Sequence, residues 1–260
     1  MKRSIIASII PLCAFALVIS ALSGLAADPK KVLVVTVTKE FRHSSIPTAM
    51  KVLGELAEKS KAFTVDFAFT EADLAAKTTS DSLQKYDGFI FANTTGVLPL
   101  ADKEAFLNAI KGGKGFVGMH SASDTFHAKG KVDPYLEMLG GEFETHHEQT
   151  GVECLVQDRN HPATKPLGQS YCIEVEEIYL IKSYDASKVH ELLVLDKHPN
   201  KKQEAGHFPV AWCKEYGTGK VFYTSLGHRE DVWMNPTYQK HILGGIKWSL
   251  GLEPGSATPK

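Results

Sequence analysis

The chain has 260 residues, 43% of them hydrophobic, and a formal net charge of −1. That suffices for one large domain or two small ones with ample core. It leaves no basic excess to attract nucleic acid or anionic lipid, so neither is expected as a partner.

At the N-terminus, Met1-Lys2-Arg3 is basic, residues 4–25 are apolar or small and uncharged, and Gly24-Leu25-Ala26-Ala27 offers small residues for cleavage. This is the pattern of a secretory signal peptide over residues 1–27. It predicts a secreted, periplasmic protein with no membrane attachment once the leader is removed. A retained anchor is the alternative, because the run is long enough to span a bilayer. Beyond the leader lie Cys154, Cys172 and Cys213. Cys154 and Cys172 fall in consecutive predicted strands and are candidates for a disulfide; the alternative is that all three are small buried hydrophobes.

The segment "KVLVVTVT" (31–38) reads as a buried strand, and "PTAMKVLGELAEKS" (47–60) as a helix with Met50, Leu53, Leu56 and Ala57 on one face. "AFTVDFAF" (62–69) and "YDGFIFAN" (86–93) are strands, "LADKEAFLNAIKGG" (100–113) a helix stopped by glycines, and "GFVGMH" (115–120) a fourth strand turning into a helix. This rhythm predicts an α/β fold with a doubly wound, mainly parallel sheet. The second half changes character. "GVECLVQD" (151–158), "YCIEVEEIYL" (171–180) and "VHELLVLD" (189–196) are strands with little helix between them. Residues 209–226 form a hairpin turning at Gly217-Thr218-Gly219, and a helix from Pro236 to Leu250 closes the fold. The expectation is one domain over 28–252 with an antiparallel extension in its C-terminal half, then a flexible tail over 253–260.

Open α/β sheets bind ligands beyond the carboxyl ends of their strands. Arg42 and His43 follow the first strand, Asn93 the third, His120 and Asp124 the fourth, and His228 the last. Three of the eleven histidines thereby converge on one predicted edge. Neutral imidazole ligates metals, and its pKa near 6.5 lets it move protons. The loop "GGEFETHHEQ" (140–149) brings His146 or His147 within reach, not both, since neighbours in an extended segment point apart. In "EVEEIY" (174–179), alternation puts Glu174 and Glu176 on one face and Glu177 on the other; an inward carboxylate there suits a sugar hydroxyl, a metal or an arginine. Trp233 is read either as core or as a sugar-stacking platform. His127, His190 and His241 are read as surface residues, and His161 and His198 as turn residues before prolines.

The motifs "FRH", "GMHSASDTF", "LGGEFETHHE", "HP", "EEIY", "PVAW" and "GKVFYTSLGH" run in this order across nearly the whole chain after the leader. Together they resemble the ThuA-like family, named for trehalose utilisation. The resemblance implies a class I glutamine amidotransferase-like, flavodoxin-like sheet. In amidotransferases of this fold the turn after the fourth strand carries a nucleophilic cysteine. Here Gly118-Met119-His120-Ser121-Ala122 puts His120 in that position, and Ser121, one step on, is not what such an elbow presents. Thiol-based glutamine hydrolysis is therefore not expected.

The resemblance further implies carbohydrate catabolism, acting on sugars or glycosides, 3-keto sugars included. The reading makes His43, His120, Asp124 and His228 catalytic, and Arg42, Asn93, His146, Glu177 and Trp233 substrate-binding. A divalent metal such as zinc would sit on His43, His120 and His228, although no spacing here is specific for a metal. No nucleotide cofactor is expected, and the partner would be a small-molecule carbohydrate. The alternatives are a non-catalytic carbohydrate-binding module using the same crevice, or a structural domain in which the histidines scatter.

Overall fold

In strand β1 (Lys30–Val35), Val32 and Val34 enter one hydrophobic cluster while Leu33 and Val35 enter another. A strand apolar on both sides must lie between two covered faces. This is a computed structural model, and it describes residues 28–127 and 130–259; the predicted signal peptide lies outside them. Helix α1 (Ile46–Ser60) covers one face, and strand β2 (Phe63–Ala68) pairs parallel to β1. Two short helices then intervene, α2 (Glu71–Lys77) and α3 (Ser80–Leu83). The periodicity missed them because each is only one or two turns; their signals are caps, a Thr70–Asp73 capping box and the Thr79 hydroxyl. Strand β3 (Gly88–Ala92), helix α4 (Lys103–Lys111) and strand β4 (Gly115–Met119) follow in parallel register. After β4 comes a 3₁₀ turn, His120–Asp124, rather than an α-helix.

Helix α5 (Pro134–Leu139) leads to strands β5 (Glu142–Thr145), β6 (Thr150–Val156), β7 (Ser170–Glu176), β8 (Leu180–Lys182), β9 (His190–His198), β10 (Glu204–Tyr216) and β11 (Gly219–Thr224). Helices α6 (Glu230–Met234) and α7 (Pro236–Ser249) end the fold. The main sheet has nine strands in the order β2-β1-β3-β4-β11-β10-β9-β6-β7, while β5 and β8 pair separately. β2, β1, β3, β4 and β11 are mutually parallel, a flavodoxin-like core; β10, β9, β6 and β7 extend it antiparallel. The fold class read from the sequence is the one observed.

Several local expectations give way. The segment 171–180 is not one strand: β7 ends at Glu176 and β8 joins a different sheet. A register shift between β6 and β7 puts three residue steps, Ile173 to Glu176, opposite two, Thr150 to Val152. This bulge breaks the alternation, so Glu174 is exposed while Glu176 is buried. Cys154 and Cys172 are free thiols, one buried and one exposed, because the register pairs Cys154 with Tyr171 instead. His190 and His241 are buried, not surface residues. The segment read as a flexible tail lies against the domain over residues 253–258. Trp248 Nε1 donates to the Gly255 carbonyl (3.0 Å), and His190 Nδ1 lies 2.6 Å from the Thr258 carbonyl.

Candidate functional site

The register of the parallel strands builds the site. Ala92, Met119 and Thr224 lie level across β3, β4 and β11. The next residues, Asn93, His120 and Ser225, therefore emerge side by side at the carboxyl edge. His120 has φ +51, left-handed for a non-glycine residue, so the β4 turn is a sharp elbow presenting one side chain. That side chain is wholly buried. Its Nδ1 lies 2.8 Å from the Ser225 carbonyl and donates its proton there, which aims the Nε2 lone pair into the site.

Around His120 Nε2 stand the Tyr179 hydroxyl at 2.8 Å, His43 Nε2 at 3.1 Å, His228 Nδ1 at 3.2 Å and Glu177 Oε2 at 3.5 Å. One ligand atom from each of His43, His120, Glu177 and His228 lies within 4.8 Å of the others. His43 arrives on the loop after β1, His228 on the loop after β11, and Glu177 on the link between β7 and β8. Burial, with help from the neighbouring imidazoles, pushes the His43 imidazole down to about 3. Burial likewise lowers His120. Burial alone would raise the Glu177 carboxyl, but the His120 and His228 imidazoles against it hold it well below its usual range. Burial works against the charge on His228, but Glu177, 3.1 Å from its Nδ1, raises its pKa. Neutral imidazoles and an ionised carboxylate are the ligating forms, and a cluster of such donors is what a cation satisfies. This His/Glu cluster could hold a metal ion.

A buried clamp sets the geometry. The Glu176 carboxylate accepts from the backbone N–H of Glu177 (2.8 Å) and of Gly227 (2.9 Å). The Gly227 carbonyl in turn accepts from Asn93 Nδ2 (2.9 Å) and Trp233 Nε1 (2.7 Å). Gly227 has φ +113, and a Cβ there would lie 2.6 Å from the Tyr238 hydroxyl, so glycine is required. One carboxylate thus joins the segments carrying Glu177 and His228.

Against the cluster lies a cavity of about 300 Å³, lined also by Phe41, Thr95, Asp124, Phe143, His146 and Tyr179. Burial pushes the Asp124 carboxyl up to about 6. His146 Nδ1 lies 3.1 Å from Glu177 Oε1.

Of the residues nominated from sequence, His43, His120, Asp124, His146, Glu177 and His228 come together here. Three do not reach the cavity. Arg42 is exposed and donates to the Thr36 carbonyl (3.1 Å). Asn93 is buried and holds Ser45 and Gly227. Trp233 is wholly buried, so it offers no face to a sugar. Sequence reasoning left Glu176 as one of three candidate inward carboxylates and assigned no role to Tyr179; both stand in the quoted "EEIY", the one signal that could have found them.

An α/β domain with a flavodoxin-like parallel core, a histidine at the sharp turn after β4 and a His/Glu cluster around it is the class defined here. The sequence profile of the ThuA family, described as trehalose utilisation, matches residues 31–249, and the chain belongs to that family. No curated protein matches the sequence. Among solved structures, a ThuA-like protein from Parabacteroides merdae aligns at 18% identity and TM-score 0.70, covering 89% of this chain and 94% of that one. A ThuA-like protein from Bacteroides uniformis aligns at 22% and 0.69, covering 92% and 98%. The fold also resembles part of a β-galactosidase from Bacillus circulans, at 13% identity and TM-score 0.54, over 89% of this chain but 32% of that enzyme.

Proposed function

We propose that this protein is a secreted, periplasmic enzyme of carbohydrate catabolism, acting on glycosides and in particular 3-keto glycosides, with a divalent metal such as zinc held by His43, His120, Glu177 and His228. The observation that carries the reading is the convergence of those four ligand atoms within 4.8 Å, with His43, Glu177 and His228 at the wall of a cavity. Three imidazoles and one carboxylate are a donor set suited to zinc, and the Ser225 carbonyl behind His120 is the outer-shell partner a ligating histidine needs. When bound, the ion supplies Lewis acidity toward a sugar carbonyl or hydroxyl oxygen.

The chain's own residues do the rest. A 3-keto group acidifies the neighbouring C–H. A base removes that proton, the electron pair moves into the ring, the glycosidic C–O bond breaks, and the leaving oxygen takes up a proton. This elimination needs no pair of carboxylates at glycosidase spacing. Asp124 and His146 line the cavity outside the ligand set, which supports assigning them the movement of these protons. Asp124, with its carboxyl pushed up to about 6, is suited to exchange a proton near neutrality.

The test is release of aglycone from a panel of 3-keto glycosides by metal-loaded protein, by chelator-stripped protein and by Asp124→Asn. The expected outcome is turnover that needs the metal and falls at least a hundredfold in Asp124→Asn, with its metal content unchanged. Tight binding of the same glycosides without turnover would make the protein a carbohydrate-binding module instead.

A further inference from the structure

We propose that Phe41 is the stacking platform of the cavity and that the cavity takes one terminal sugar ring of a glycoside, the remainder staying in solvent. The inference rests on the carbohydrate reading above and adds to it a specificity residue and a mode of recognition.

Phe41 is 65% exposed, while Phe143 and Tyr179, the other phenyl and phenol rings of the cavity wall, are not. Large exposed side chains elsewhere, such as Phe69 and Met234, do not line this cavity. An aromatic left in water at the mouth of a polar site has a face to offer a ligand. The ring is also held in place. The Phe41 carbonyl accepts from Thr95 Oγ1 (2.8 Å), and the ring meets the His43 imidazole at 4.8 Å between centroids and 83° between planes. A platform pinned beforehand costs little ordering on binding.

The apolar C–H face of a pyranose matches the negative face of such a ring. Phe143 and Tyr179 pack on one another at 4.5 Å and form the wall. Trp233, the aromatic nominated from sequence, is buried in the core. The volume of about 300 Å³ sits at the bottom of the range for ligand pockets, which suits one ring rather than a run of them. Stacking on Phe41 would leave the polar edge of that ring for Thr95 and Asp124.

Titration calorimetry on the full protein tests this with methyl α-glucoside, trehalose, 3-keto-trehalose and maltotetraose. The platform predicts about tenfold weaker binding for Phe41→Ala and recovery in Phe41→Trp. It also predicts no gain in affinity from trehalose to maltotetraose. Metal content and thermal midpoint should match wild type in both variants, because the ring is exposed and supplies no ligand atom to the cluster. Wild-type affinity in Phe41→Ala would overturn the platform, and affinity rising with chain length would overturn the single-ring pocket. If wild-type protein binds none of the four, the carbohydrate reading itself falls. Binding by wild type that Phe41→Ala leaves unchanged removes only the platform.

Discussion

His120 sits at the sharp turn after β4, at φ +51, among the other ligand atoms of the His/Glu cluster. Its usefulness depends on a neighbour that never reaches the cavity. Glu176 holds the N–H groups of Glu177 and Gly227, and so sets where Glu177 and His228 stand relative to His120. Replacing it by glutamine keeps the size but turns an amide N–H₂ toward one of two backbone donors. Glu176→Gln should therefore weaken metal binding ten- to a hundredfold, the usual cost of losing an outer-shell partner. Competition against a chromogenic chelator measures this, and a shifted visible spectrum in the cobalt-substituted variant would show that ligand geometry has moved. Unchanged affinity and spectrum would mean that Glu176 only joins two strands. At this scale the sequence was informative where topology did the work. His43, His120 and His228 follow strands that end on one edge. Glu177 was nominated from among three neighbouring carboxylates, while Tyr179 was not visible at all, because a link between two sheets brings it in and no periodicity announces it.

Helix α7 shows what positions these residues from behind. Gly244 and Gly245 let it lie directly on the Pro162 turn and on Phe222 of β11; a Cβ at 244 would come 2.1 Å from the Pro162 carbonyl oxygen and one at 245 would come 2.3 Å from the Phe222 ring. Alanine in a helix gains up to about 1 kcal/mol over glycine. Backbone crowding outweighs that gain, so Gly244→Ala should lose about 1–3 kcal/mol net. For a chain of this size that is a fall of several degrees in Tm by calorimetry. A raised Tm would show that the helix can lift off at no cost. Long apolar strands and long amphipathic helices were legible, since their patterns repeat over many residues. The short α2 and α3, the β7 bulge and the split between β7 and β8 were not. Each is decided by one cap or one extra residue rather than by a period.

The whole molecule carries a further set of buried histidines with no place in the site. Burial lowers the His241 imidazole to about 4 and the His161 imidazole to about 3. In the unfolded chain both titrate near 6.5. Between those values the unfolded state takes up protons that the folded state refuses. Stability is thus full above about pH 6.5 and declines as pH falls toward 4, by about 3 kcal/mol for His241 alone. Urea denaturation midpoints between pH 7.5 and 4.5 should trace that decline, and a flat profile would mean that the folded state accommodates imidazolium at these positions.

The central claim is that the histidine–glutamate cluster is one metal-holding centre. The most direct test is elemental analysis of untagged protein, wild type against His120→Ala and Glu177→Ala. The account predicts close to one equivalent of a transition metal such as zinc per wild-type chain, lost from both variants while they remain folded. Wild-type protein that holds no metal after reconstitution with zinc at neutral pH would contradict it.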